Sequence, residues 1–381
     1  MLYCLFMGIF GPTVIALAAP SPGHAEGRSL PSCVSTESLK VDFNQERLNS
    51  YCLIIDTRSE SEEKADTEAG RLKGPVIVFF QGHAQRPSDA YGLTSGLALK
   101  SRSGVVVISV CDTPYGVDPA WRGDRGKDVV LMETVRWMLA SRGIAVEGYT
   151  PLQDAPVRID ESYADDGQCG ISSGLIAVGW SHGGILARRF AHFYPASVSA
   201  LGQVCPAGYE RLSPLGLTGK FALESLRISK LTATGHARDA LSSAWGFTKG
   251  FVGDFARSVP SALLYAHPGK VFRTGRDIRD CTVYCDSSLF GLAHLKAVSV
   301  IFAADDFCMS PERILGTSDP GRVPQDKASE FWKRYYADIS PERTSLSVTV
   351  LPGTHLAPVS HSDLYIPELL EGLGQAAAPR P

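Results

Sequence analysis

LIAVGWSHGGILARRFAHFY, residues 175–194, combines an apolar run, a serine between glycines and a helix-like segment. Leu175–Trp180 is apolar throughout, which is typical of a strand buried on both faces of a sheet. Ser181 follows at the centre of a Gly-x-Ser-x-Gly turn, in which Gly179 and Gly183 leave room for the strand and the helix to approach. A strand, a sharp turn and a helix in this order expose the serine hydroxyl beyond the sheet, where it can act as a nucleophile.

Apolar runs and helix-like segments alternate on both sides of this turn. Such alternation predicts an α/β fold, with a mostly parallel sheet covered by helices on both faces. Residues 58–73 are charged and contain glycine, so their composition predicts a solvated loop. The predicted strands are 75–80, 104–110, 175–180, 198–205, 297–302 and 346–351, with the first strands from 41–56 broken at the polar residues 44–49, and the predicted helices are 127–142, 182–194, 328–336 and 364–373.

The alternation stops between the fourth of these runs and the next. Residues 206–295 are rich in Leu, Ala, Ser and Phe at helical spacing, with prolines and glycines as breaks, and they predict a helical cap inserted over the sheet edge. We therefore expect one α/β domain over residues 26–381, with this cap as an insertion.

The amino-terminal residues differ from the rest of the chain. Residues 2–19 are almost wholly apolar, and no lysine or arginine precedes Arg28. Small residues at suitable spacing end at Ala18 or Ala25, so residues 1–25 are predicted to be a signal peptide that lacks a basic segment. The alternative is an uncleaved anchor, although glycines and a proline interrupt a run that is already short for a bilayer. The expected location is secreted or periplasmic, without stable membrane insertion of the mature chain.

Nine cysteines are many for a reduced cytosolic enzyme. Removal of Cys4 with the leader leaves eight, an even number that suits disulfide pairing. Cys281 and Cys285 are the nearest pair, while Cys33 and Cys52 bracket the start of the folded part. A Cys-x-x-x-Cys spacing without a second pair does not indicate a zinc site, so no metal is predicted.

The charged residues exclude some classes of function. The net charge is -3, and the 37 lysines and arginines are scattered, so no nucleic-acid partner is expected. The sequence also contains no dinucleotide-binding or phosphate-binding loop, and no cofactor is predicted.

A serine nucleophile needs a base within hydrogen-bond reach and an acid to orient that base. Two later predicted strands are each followed by candidates, Asp305 and Asp306 after the first and His355 after the second. Loops that leave the carboxyl ends of parallel strands share one edge of the sheet. We therefore expect these side chains to converge with Ser181.

The order Ser, Asp, His, each just past a strand, resembles the α/β-hydrolase superfamily over roughly residues 41–373, without identifying a subfamily. In that family the acid often lies three residues beyond a glycine at the strand end. Ala303 stands in the place of that glycine, and Asp306 lies three residues beyond it. The resemblance therefore favours Asp306 as the acid, with Asp305 as the alternative. It also favours His355 as the base over His361, which instead fits the start of the last helix.

The resemblance further implies two backbone N–H groups that stabilise an oxyanion. One belongs to His182, after the nucleophile. The other belongs to His83, because Gln81-Gly82 stands where the family commonly has His-Gly; an ordinary glycine turn is the alternative.

Three residues are candidates for the substrate pocket. Gly82 lies on the expected oxyanion loop. Tyr115 follows a strand at the same edge of the sheet. Asp112 and Trp121 follow that strand too, and we assign none of these three a catalytic role. Trp180 precedes the serine and either packs beneath the acyl site or fills the core.

These residues together predict a serine hydrolase that works through an acyl-enzyme on Ser181. The aromatic and aliphatic content of the cap favours an apolar, small-molecule or lipid-like ester, which indicates a carboxylesterase or lipase-like enzyme. The alternatives are a serine aminopeptidase or an amide or lactone hydrolase, and a non-catalytic binding protein of the same fold.

Overall fold

The computed structural model describes residues 34–43, 46–82, 91–102, 104–110, 126–146, 157–159, 169–171, 173–210, 213, 216, 220, 291–355 and 357–375. The predicted signal peptide, most of the predicted cap, and the site candidates His83 and Tyr115 lie outside these residues. Within them, every helix is too short or too polar to cross a bilayer.

The strands form one large and one small sheet. They are β1 (Val34–Phe43), β2 (Glu46–Asp56), β3 (Arg71–Leu72), β4 (Val76–Phe80), β5 (Val106–Val110), β6 (Ile144–Ala145), β7 (Val157–Ile159), β8 (Cys169–Ile171), β9 (Leu175–Trp180), β10 (Val198–Val204), β11 (Ala297–Ala303), β12 (Gly321–Arg322) and β13 (Ser345–Leu351). Among the described residues, the large sheet has the order β12-β13-β11-β10-β9-β4-β5-β2-β1-β7, and the small sheet has the order β3-β8-β6.

The centre of the large sheet is parallel. Strands β5, β4, β9, β10, β11 and β13 all pair in parallel with their neighbours in this series. The hairpin β1–β2 and the edge strands β7 and β12 are antiparallel. The hairpin confirms that 41–56 supplies the first strands, but β2 already begins at Glu46, so the predicted break over 44–49 is wrong in extent. Pairing between the two strands outweighs the polar composition there.

Helices cover both faces. They are α1 (Glu60–Ala69), α2 (Tyr91–Lys100), α3 (Gly126–Ala140), α4 (His182–Phe193), α5 (Pro311–Leu315), α6 (Gln325–Tyr335), α7 (Ala357–Ser360) and α8 (Ser362–Gly372). Buried residues of α3, α4 and α6 share one core cluster with one face of the sheet. Buried residues of α2 and α8 share a second cluster with the opposite face.

Strand β4 shows why a central strand can be apolar at every position. All five of its residues are buried. Val78 and Phe80 belong to the first core cluster, and the Phe80 ring lies 5.2 Å from that of Phe190 on α4. Ile77 and Phe79 belong to the second cluster. Full burial of such a side chain contributes about 1.5–3 kcal/mol, so both faces of the strand stabilise the sheet.

The direction in which successive strands are added to the sheet reverses between β4 and β9, next to the serine. From β4 it runs through α2 to β5 on one side, whereas from β9 it runs through α4 to β10 on the other. In an open α/β sheet, ligands bind outside the carboxyl ends of the strands at such a reversal. Gly82 and Ser181 follow β4 and β9 at this position.

The prediction that residues 58–73 form a solvated loop is wrong, because α1 occupies most of this segment. Ser59 caps the helix with a reciprocal pair of hydrogen bonds to Glu62, and Gly70 ends it in the left-handed region at φ 62°. Several charges are also buried instead of solvated. The Arg58 guanidinium contacts Asp56 at 2.7 Å, and both side chains are almost fully buried.

Three cysteines lie in the described core. Cys52, Cys205 and Cys308 are buried, and no disulfide joins any two of them. The candidates Cys33, Cys281 and Cys285 lie outside the described residues.

Candidate active site

Ser181 occupies a strained turn between β9 and α4. Its backbone has φ 55° and ψ −121°, a conformation that costs a non-glycine residue about 1–3 kcal/mol. Two long-range hydrogen bonds hold it there. The Ser181 N–H donates to the Val204 carbonyl at 3.0 Å, and the Ala207 N–H donates to the Ser181 carbonyl at 2.9 Å. The end of the neighbouring strand β10 therefore fixes the turn.

Two glycines in the turn are required by space. A Cβ at Gly179 would lie 2.0 Å from the Gly183 carbonyl oxygen. A Cβ at Gly183 would lie 2.0 Å from the carbonyl oxygen of Phe80 at the end of β4. The helix can begin this close to the sheet only because both residues lack a side chain.

Three side chains from distant parts of the sequence meet at this turn. The His355 Nε2 lies 2.9 Å from the Ser181 Oγ, and the His355 Nδ1 lies 2.7 Å from the Asp306 Oδ2. Ser181, Asp306 and His355 are 4%, 3% and 2% exposed, so water barely competes for these hydrogen bonds. The arrangement allows His355 to take a proton from Ser181 while Asp306 fixes the orientation of the imidazole.

The structure distinguishes between the two candidate acids. The carboxylate that contacts His355 belongs to Asp306, whose other oxygen accepts a hydrogen bond from the Met309 N–H at 2.7 Å. Asp305 is exposed on the same loop after β11. Its backbone N–H donates to the Gly353 carbonyl at 2.8 Å, which ties the acid loop to the loop that carries the histidine.

Helix α8 packs against the loop that carries His355 and hydrogen-bonds to it. The Tyr365 hydroxyl donates to the Pro352 carbonyl at 2.9 Å, and the Tyr365 ring is fully buried. Burial, with the nearby Cys205 and Asp306, raises the pKa of Tyr365 far above its ordinary value, so the hydroxyl remains a donor at any physiological pH. The alternative base, His361, lies directly before α8, at the helix start where the sequence places it.

Of the two predicted oxyanion donors, the structure describes His182 and not His83. His182 is the first residue of α4, and the N–H groups of a first helical turn take no part in intrahelical hydrogen bonds, which suits an oxyanion donor. His83 and Tyr115 lie outside the described residues. Gln81, which stands in the place of the family's histidine, is buried, and its amide donates to the Ser109 Oγ on β5 at 2.7 Å. Its side chain therefore anchors the loop to the neighbouring strand.

Trp180 lies between His355 and Gly82, which belongs to the predicted oxyanion loop. Its ring stacks on His355, with centroids 5.9 Å apart and planes at 29°. A Cβ at Gly82 would lie 2.8 Å from two carbons of the indole. Trp180 belongs to the second core cluster and also packs against His355 and Gly82 beside the Ser181 turn. Its expected place beneath an acyl site stays a prediction. Its contact with His355, like that of Gln81 with Ser109, was not foreseen from the sequence, which carries no local signal for either.

The described residues contain no group of three or more His, Cys, Asp or Glu side chains that could hold a metal ion. The chemistry that the described groups offer is proton transfer and nucleophilic attack by an activated hydroxyl.

No protein-family model and no curated protein matches the chain. Similar solved structures include a thermophilic esterase from Thermogutta terrifontis, with 12% identity, a TM-score of 0.49 and coverage of 89% of this chain and 98% of that chain. A bromoperoxidase from Bacillus anthracis has 12% identity and a TM-score of 0.48, covering 90% and 100% of the two chains. An alpha/beta hydrolase fold protein from Nakamurella multipartita has 17% identity and a TM-score of 0.46, covering 86% and 94%.

At these identities and scores, the chain's own topology decides the fold. The parallel strands follow the order β5-β4-β9-β10-β11-β13 after an antiparallel hairpin. The strained serine follows β9, the aspartate follows β11 and the histidine follows β13. By this strand order and this placement of serine, aspartate and histidine, the chain has the α/β-hydrolase fold.

Proposed function

We propose that this protein is a serine hydrolase that cleaves carboxylic esters through an acyl-enzyme on Ser181. The observation that carries the proposal is the pair of contacts of His355, 2.9 Å to the Ser181 hydroxyl and 2.7 Å to the Asp306 carboxylate. A serine alone is a weak nucleophile at neutral pH, and this pair of contacts is what activates it.

The proposed reaction has two steps. The Ser181 Oγ forms a bond to the acyl carbon while its proton passes to the His355 Nε2, and the developing oxyanion accepts hydrogen bonds from the His182 and His83 N–H groups. The intermediate collapses, the C–O bond to the leaving alcohol breaks, and His355 gives the alcohol its proton. Water then attacks the acyl-enzyme, with His355 as the base, and releases the acid and free Ser181. Asp306 keeps the proton on the His355 Nδ1 throughout.

The proposed substrate is a small-molecule or lipid-like ester with an apolar acyl group. Phe307, directly after the proposed acid, leaves 39% of its surface exposed, so we propose that it offers an apolar contact to the acyl group. The predicted cap, rich in Phe and Leu, favours the same class of substrate. We also propose that the protein is exported, on the basis of its apolar amino-terminal segment.

A fluorophosphonate probe tests the nucleophile. We expect the purified protein to be labelled at Ser181 and Ser181→Ala to remain unlabelled although folded. A folded wild-type protein that is never labelled would instead support a binding role without turnover. For a labelled protein, p-nitrophenyl esters of increasing acyl length, assayed beside aminoacyl anilides, separate an esterase from an aminopeptidase. Faster turnover of the anilides would contradict the proposed ester specificity.

A further inference from the structure

Trp180 is the last residue of β9 and directly precedes Ser181. The side chain is 5% exposed, and its indole Nε1 is buried without a hydrogen-bond partner in the described part of the chain. A buried unpaired donor destabilises a folded protein, so a phenylalanine or leucine would fill the core without this penalty. With its Nε1 unpaired, the indole acts on its described neighbours through the ring alone.

The ring presents the electron-rich face of the indole to its neighbours. The imidazole of His355 lies against it, with ring centroids 5.9 Å apart and planes at 29°. Of the aromatic side chains, tryptophan attracts a cation over its face most strongly, and the attraction increases where water is excluded. In the reaction proposed above, His355 becomes a cation each time it accepts the serine proton.

Other groups around His355 also influence its charge. Asp306 and Ser181 contact its two ring nitrogens, and Asp305 lies on the same loop as Asp306. Tyr365 on α8 lies near Asp306 and Cys205, and burial raises its pKa, so its hydroxyl remains protonated. His182 begins α4 beside Ser181. Asp306 supplies the negative charge at the edge of the imidazole, and Trp180 contacts its face, so the two effects are separable by substitution.

We propose that Trp180 is a positioning residue whose indole face holds the His355 imidazole in line with Ser181 and stabilises the imidazolium that forms during acyl transfer. The inference rests on the proposed function, because the imidazolium matters only if Ser181 is deprotonated by His355. The contact of the same indole with Gly82 extends the effect to the oxyanion loop, since both groups rest on one rigid ring.

The test is the pH profile of kcat/KM for p-nitrophenyl acetate in the full-length wild type, Trp180→Phe and Trp180→Leu. Loss of the indole face makes protonation of His355 less favourable. The acidic limb should therefore move to lower pH by about 0.5–1 unit in Trp180→Leu, with a fall of about three- to tenfold in the plateau. Trp180→Phe retains an aromatic face and should show a smaller shift.

Trp137, another buried tryptophan, provides the matched control because it belongs to the core cluster on the opposite face of the sheet. Trp137→Leu should lower stability and leave the acidic limb in place. An unmoved limb in Trp180→Leu, or a limb displaced to higher pH, would overturn the inference and leave Trp180 as a packing residue.

A second measurement works without turnover and without the leucine variant. The imidazole of His355 is titrated by NMR in the wild type and Trp180→Phe, and the variant should titrate at lower pH. Equal titration of the two proteins would overturn the inference. Absence of both labelling and hydrolysis in the wild type would instead refute the proposed function, so the two failures are distinguishable.

Discussion

Asp306→Asn changes one atom of the triad, and the structure fixes how the new amide must orient. The Asp306 Oδ1 accepts the Met309 N–H at 2.7 Å, and the Oδ2 faces the His355 Nδ1 at 2.7 Å. The Met309 N–H is buried and can only donate, so the amide oxygen of asparagine must occupy the Oδ1 position. The NH2 group then faces the His355 Nδ1 and donates to it.

This orientation forces the wrong tautomer on the base. With the Nδ1 as an acceptor, the neutral imidazole carries its proton on the Nε2, which then cannot accept the proton of Ser181. In serine proteases this change costs about 10⁴-fold in kcat, which corresponds to about 5.5 kcal/mol of transition-state stabilisation. We expect a loss of the same order here, because His355 also contacts a carboxylate through its Nδ1 and the serine hydroxyl through its Nε2.

The assay is kcat/KM for p-nitrophenyl acetate near pH 8 in the wild type, Asp306→Asn and Asp305→Asn. Asp305 is the matched control because it lies on the same loop but is exposed, so its substitution should change kcat/KM by less than about threefold. Circular dichroism and urea unfolding establish that both variants are folded. Activity of Asp306→Asn within tenfold of the wild type, or an equal loss in Asp305→Asn, would refute the reasoning.

Two further predictions concern stability. In Gly183→Ala the new Cβ would lie 2.0 Å from the Phe80 carbonyl oxygen, so urea unfolding should show a loss of about 3 kcal/mol or more, whereas Gly143→Ala, with φ 70° and open space, should lose only about 1 kcal/mol; equal losses would contradict the steric explanation. Burial lowers the pKa of His294 from its ordinary 6.5, so the unfolded chain takes up this proton first and the folded state loses stability as the pH falls below that value. The fall in the urea midpoint between about pH 7.5 and 5.5 should therefore be smaller in His294→Gln than in the wild type. An equal fall in the two proteins would show that His294 does not contribute.

The central strands were predictable because their burial is symmetrical. β4, β5, β9 and β11 are buried at every position. Their five to seven residues are apolar apart from Ser109 and Ser299, a composition typical of a strand covered on both faces. Helix α1 was missed for the opposite reason. Its composition is polar, and the information that defines it lies in the capping pair of Ser59 and Glu62, which a reading by composition overlooks.

The partners of Ser181 were predictable because strand ends determine their position. Asp306 and His355 each follow a strand of the parallel sheet, so topology alone brings them to one edge. The supporting contacts follow no such rule. The hydroxyl of Tyr365 reaches a carbonyl on another loop, and the amide of Gln81 reaches a hydroxyl on another strand. These contacts depend on side-chain packing across elements, which no local pattern encodes.

The geometry of the serine turn explains why the site needs so large a sheet. The strained backbone of Ser181 has one local hydrogen bond, from the Gly184 N–H to its carbonyl. Its N–H bonds to Val204 and its carbonyl also accepts from Ala207, and these residues follow more than twenty residues later. Those residues are positioned by β10, whose parallel partners on both sides are fully buried strands. The free energy that holds the nucleophile in its reactive orientation therefore comes from burial of the central strands, at about 1.5–3 kcal/mol per large apolar side chain. A strain of about 1–3 kcal/mol at one residue is small compared with that sum. The sheet can therefore maintain the strained backbone conformation of Ser181 without any contact from a substrate.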